Sequence, residues 1–150
     1  MTPELFGMMG AGLCMGIAAV GSAIGIGIAG SAVAGAWKRC YKANKRVPMV
    51  LLAFAGNPIT QTFYGYILMG QILNAALSSD FDPRKSGFYL GLGIASGLAM
   101  TFSAVAQGWI GAAAADAIGD TGKGFANYIS LVGICETIAL FAMVLSMTML

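Results

Sequence analysis

Glu136 is the one charged residue between Gly124 and Leu150, in a run that otherwise reads FANYISLVGIC and TIALFAMVLSMTML. At ~1.5 Å per residue, some 20 residues cross a ~30 Å hydrocarbon core, so this run is a candidate membrane span with its carboxylate near mid-bilayer. A bare charge there costs roughly 2.5–3.5 kcal/mol on insertion scales. It must be neutralised by a proton or paired with a cation, which makes Glu136 a candidate ion site.

Other oxygen-bearing side chains sit in similarly apolar surroundings. Asn57, Thr60, Gln61 and Tyr64 are spaced i, i+3, i+4 and i+7, a pattern that shares one helix face. Pro58, among them, has no N–H to donate to the Phe54 carbonyl, so the helix is expected to loosen there and present backbone oxygen. Gln107 follows Ser103 by four residues on a face made otherwise of small side chains. Hydroxyl and amide oxygens around one carboxylate suit a small monovalent cation, since one negative charge balances one positive charge. The same polar groups would also serve simply to join helices, at ~0.6–2 kcal/mol per hydrogen bond.

These residues need spans to carry them. The chain has 150 residues, 58% of them hydrophobic and 9% charged, with a mean hydropathy of +0.81. Soluble domains carry about 25% charged residues, so this composition indicates a membrane protein. Leu5–Trp37, Val47–Ser79 and Ser86–Ala115 are free of charge and, with the Glu136 run, make four expected spans in an all-α fold. No segment has the alternation of a transmembrane strand. The start, MTPELF, lacks a basic region and is read as no cleavable signal, while Pro3 and Glu4 suit a first helical turn.

Five of the eight basic residues lie between Lys38 and Arg46, with no acid among them. The positive-inside rule assigns that loop to the cytoplasm, and the loop around Asp116–Lys123 with it. Both termini and the Ser78–Lys85 loop then face the other side. The basic loop is either a topogenic signal alone or a docking surface for a cytosolic partner.

The two halves read as a tandem duplication of helical hairpins, residues 1–77 and 78–150. Gly21–Ala36 can be laid on Phe102–Ala117, and Ala55–Leu68 on Ser130–Met143, which sets Gln61 opposite Glu136. The first helix of each hairpin is rich in Gly, Ala and Ser. In lipid, small residues let backbones approach closely, so these helices are expected inside, surrounded by protein, with the bulkier helices outside. A single compact bundle is the alternative.

Other chemistry is excluded or poorly served. With no histidine there is no Ser-His or Cys-His nucleophile. The glycine-rich run lacks the Lys-Ser/Thr ending of a phosphate loop. Cys14, Cys40 and Cys135 have no metal-ligand spacing and read as small apolar fillers. The basic loop is too short for a nucleic-acid surface, and no catalytic residue is assigned.

PITQTFYG (58–65), SAVAQG (103–108) and ICET (134–137), in this order and spacing, resemble the proteolipid rotor subunit of V-type ATPases, the duplicated four-helix c or K subunit. The likeness runs over essentially the whole chain and is closest to the sodium-translocating branch. It implies a homo-oligomeric ring and a sodium ion held by Glu136, Thr60, Gln61, Gln107 and the Asn57 carbonyl, with Tyr64 hydrogen-bonded to the carboxylate. Asn57-Pro58-Ile59 stands where Leu-Pro-Gly is more familiar. The resemblance further implies a stator subunit with a buried arginine, a central stalk meeting loops 37–46 and 116–123, and a multi-pass place in a prokaryotic cell membrane. A proton in place of sodium, lithium as a substitute ion, a stand-alone four-span exchanger or channel, and a structural scaffold remain as alternatives.

Overall fold

The computed structural model describes residues 2–150; Met1, first residue of MTPELF and of the first expected hairpin, lies outside them. The described residues are helical apart from short connections. Helix α1 covers Pro3–Lys42, α2 Leu52–Gly56, α3 Thr60–Ala76, α4 Ser86–Thr121 and α5 Phe125–Met147. Pro3 opens α1 with Glu4 in the first turn, and Arg39 and Lys42 close it, an arrangement favourable to the helix dipole at both ends.

Among the described residues, three rods are long and apolar enough to cross a membrane: Pro3–Lys42, Pro83–Thr121 and Phe125–Met147. The segment expected as the second span is helical in consecutive pieces. A 3-10 turn at Met49–Leu51 leads into α2, and another at Asn57–Ile59 leads into α3. The second turn falls at Pro58, where the missing N–H breaks the α-helical ladder. The interruption leaves α3 with 17 residues of regular helix.

Helices α1 and α4 form the centre and run parallel. Their contact is made backbone to backbone at glycines. A Cβ added at Gly108 would lie 2.7 Å from the Gly25 Cα, and one added at Gly25 or Gly93 would collide with the carbonyl oxygen of Ala104 or Gly10. Helix α3 runs antiparallel to α1, with Gly65 against Ala18 and Gly7 against Ala76. Helix α5 lies against α4 and, less extensively, α3. Among the described residues, the small-residue helices α1 and α4 make the most extensive helix–helix contact. Thr101 adds a hydroxyl bond to the Ile17 carbonyl at 2.6 Å.

The loops fall at two ends. Arg39 pairs with Asp116 at 2.6 Å and Asp120 at 3.3 Å, so the basic loop and the 116–123 loop share one end. These pairs are well exposed and contribute little to stability. Gly122, left-handed at φ 68°, caps α4 by donating its N–H to the Ile118 carbonyl at 2.7 Å. A left-handed glycine is the common helix stop, and it turns the chain directly into α5. At the other end Phe81, Tyr89 and Leu150 pack together with the end of α3.

Two apolar clusters flank the middle of the molecule. Ala11, Cys14, Ala18, Leu68, Ile72, Met100 and Ala139 lie toward the 78–85 loop. Val33, Ala36, Leu51, Phe54, Ala114 and Val132 lie toward the basic loop. Between them runs a polar layer. Gly108→Val is expected to force α1 and α4 apart at a cost of about 1–3 kcal/mol, seen as a lower denaturation temperature in detergent. Gly133→Ala, where an added Cβ meets nothing within 4 Å, is the matched control and is expected to leave that temperature unchanged.

Candidate ion site

The polar layer is built from α3, α4 and α5. Glu136 stands midway along α5, half-buried, between the exposed side chains of Ile134 and Ile138. Its carboxylate accepts a hydrogen bond from the Tyr64 hydroxyl, Oη to Oε1 at 2.5 Å. Tyr64 stands one turn beyond Thr60 and Gln61 on α3 and is the member of that sequence pattern whose side chain bonds α5.

Gln61 and Gln107 are fully buried, and each is tied on both sides. The Gln61 Nε2 donates to Gln107 Oε1 at 3.0 Å and to Ser103 Oγ at 3.3 Å. The Gln107 Nε2 donates to the Val132 carbonyl at 3.2 Å, and Ser103 Oγ donates to the Cys135 carbonyl at 2.7 Å. On the far side of the Gln61 amide, Thr60 Oγ1 lies 3.2 Å from Gln61 Oε1 and 3.0 Å from the Asn57 carbonyl oxygen. The 3-10 turn at Pro58 is what brings that carbonyl level with the first turn of α3.

The sequence-derived residues therefore fall into two adjoining groups. Tyr64 and Glu136 form one; Asn57, Thr60, Gln61 and Gln107 form the other, joined by amide and hydroxyl bonds. Among the described residues no hydrogen bond connects Glu136 to Thr60, Gln61 or Gln107. The groups meet through α5 itself, because Val132 and Cys135, which accept from Gln107 and Ser103, lie within the helical turn before Glu136. Ser103 was not among the assigned site residues. Its i, i+4 relation to Gln107 was the available signal, but nothing in the sequence distinguishes a serine that bonds across helices from one that bonds within its own.

Carboxylate, amide, hydroxyl and carbonyl oxygens, all hard donors, gather at this level of the chain. No buried side-chain nitrogen or oxygen among the described residues lacks a partner, so the layer is a closed hydrogen-bond network.

Fold and site together define a helical integral membrane protein with an ionisable carboxylate at mid-span. Residues 90–149, which carry α5 and nearly all of α4, match the family model of the ATP synthase C subunit. The match covers 60 of the 150 residues. No curated protein matches the chain.

The mutual bond between Gln61 and Gln107 is open to a double-mutant cycle. Either Gln→Leu change alone leaves a buried amide group without its partner and is expected to cost about 1–3 kcal/mol. The double variant is expected to cost less than the sum of the two, by about 0.5–3 kcal/mol of coupling. Strict additivity in detergent denaturation would show that the two amides do not meet.

Proposed function

We propose that this chain is a rotor-ring subunit of a V-type rotary ATPase and that each copy carries one sodium ion on Glu136. The observation that carries the reading is the Tyr64–Glu136 hydrogen bond beside the amide and hydroxyl oxygens of Thr60, Gln61 and Gln107. Sodium would be held by Glu136, Thr60, Gln61, Gln107 and the Asn57 carbonyl. A modest rotation of the carboxylate and of the Gln61 amide would bring the two groups of oxygens onto a common ion. Amide and hydroxyl oxygens supply coordination without adding charge, so the loaded site is electrically neutral and can face lipid.

The emptied carboxylate is the costly state, and a buried arginine on a stator is the partner that would relieve it. Loading before exposure to lipid and release beside the arginine would then couple ion movement to rotation. The duplication supports the V-type form. Residues 1–77 and 78–150 are read as two hairpins, with the neutral Gln61 at the position where the second hairpin has Glu136. One ion per two hairpins means fewer ions per turn, a gearing that favours ATP-driven pumping. The basic loop at 37–46 and the neighbouring 116–123 loop would face a prokaryotic cytoplasm and meet the central stalk. Lithium would occupy the same site. A proton would compete for it by neutralising the carboxylate.

Carbodiimide labelling tests this reading, since the reagent modifies protonated carboxyl groups and a bound ion shields them. Labelling of Glu136 in the purified oligomer is expected to fall with millimolar sodium, to be indifferent to potassium, and to vanish in Glu136→Gln. Labelling that follows pH alone would assign a proton ring. A dimer in place of a large, detergent-resistant ring would overturn the rotor itself.

A further inference from the structure

We infer that Ser103 is a positioning residue for the ion site, fixing which end of the Gln61 carboxamide faces the cation; the inference rests on the sodium reading above. A carboxamide is nearly symmetric in shape, with an oxygen at one end and a donor nitrogen at the other, and only the oxygen binds a cation. Its surroundings must therefore choose the orientation.

The choice originates in the backbone of α5. A carbonyl oxygen only accepts hydrogen bonds. The Cys135 carbonyl therefore takes the hydroxyl hydrogen of Ser103, at 2.7 Å, and leaves Ser103 Oγ with lone pairs alone to offer. Those lone pairs meet Gln61 at 3.3 Å, so the atom facing them must be the donor, Nε2. The Val132 carbonyl acts in the same way on Gln107: it takes the amide hydrogen, so Gln107 turns its oxygen toward Gln61 at 3.0 Å. Both hydrogens of Gln61 Nε2 are thus committed to α4. Gln61 Oε1 is directed away from α4, toward Thr60 and the Asn57 carbonyl.

Ser103 differs from Ser31, Ser96 and Ser130 in where its hydroxyl hydrogen goes. Ser31, Ser96 and Ser130 each donate to the carbonyl four residues earlier in their own helix, at 2.7, 2.6 and 2.8 Å. That is the ordinary use of a serine within a helix. Ser103 instead reaches α5, at the residue immediately before Glu136, and it is buried at 4% exposure. It joins α3, α4 and α5 at one atom.

The test is sodium protection of Glu136 against carbodiimide in the assembled oligomer, compared among wild type, Ser103→Ala and Ser103→Cys. Loss of the serine acceptor frees the amide to turn, and the sodium concentration giving half protection is expected to rise about 5–10-fold, the effect of one net hydrogen bond. The cysteine variant keeps the packing but bonds poorly, and is expected to follow the alanine variant. The labelling rate without sodium, measured for each variant, is the reference against which its protection is expressed. Half protection at the wild-type sodium concentration in Ser103→Cys would overturn the inference, and that variant decides the matter if Ser103→Ala fails to assemble. Absence of sodium protection in the wild type would instead overturn the sodium reading, and the positioning role with it.

Discussion

A carboxylate placed halfway through a membrane span constrains almost everything around it. Its charge has to be neutralised, and whatever neutralises it must be removable if the site is to carry an ion. Here the Glu136 carboxylate receives one direct hydrogen bond, from Tyr64, and faces a layer of amides and hydroxyls that adds no charge. Apolar clusters flank that layer on either side. In such surroundings neutral oxygen ligands acquire strength that they would lack in water, and an orphaned one becomes costly.

The packing of α1 against α4 makes room for this layer. Backbones that touch at Gly25 and Gly108 draw the two central helices together, with α3 packed on both and α5 on α4. Glycine costs helix stability in water, but within the membrane close approach offsets that cost. The 3-10 turn at Pro58 sits beside the same contact, with the Pro58 ring against Gly25 and the Phe54 carbonyl facing Gly111. The small residues thus set both the helix spacing and the place where α3 begins.

Much of this was legible in the sequence, for identifiable reasons. The long apolar runs marked α1, α4 and α5, because apolar length is what a membrane demands of a helix. The i, i+3, i+4, i+7 pattern grouped Thr60, Gln61 and Tyr64, whose side chains enter the polar layer, and Pro58 announced the break in the helix. Other features depend on three-dimensional registration. The second span appeared continuous by charge, whereas the chain passes through two 3-10 turns before α3 begins. The Gln61–Gln107 bond joins residues far apart in the chain, and no local pattern encodes which amide end faces which. The part played by Ser103 depends on a carbonyl of another helix, and backbone carbonyls are present at every position.

Equilibrium binding of radioactive sodium to the purified oligomer tests the central claim most directly. The account predicts one saturable site per chain, competed by protons and by lithium and absent from Glu136→Gln. Saturable binding that persists in Glu136→Gln, or no saturable binding in the unaltered protein, would contradict it.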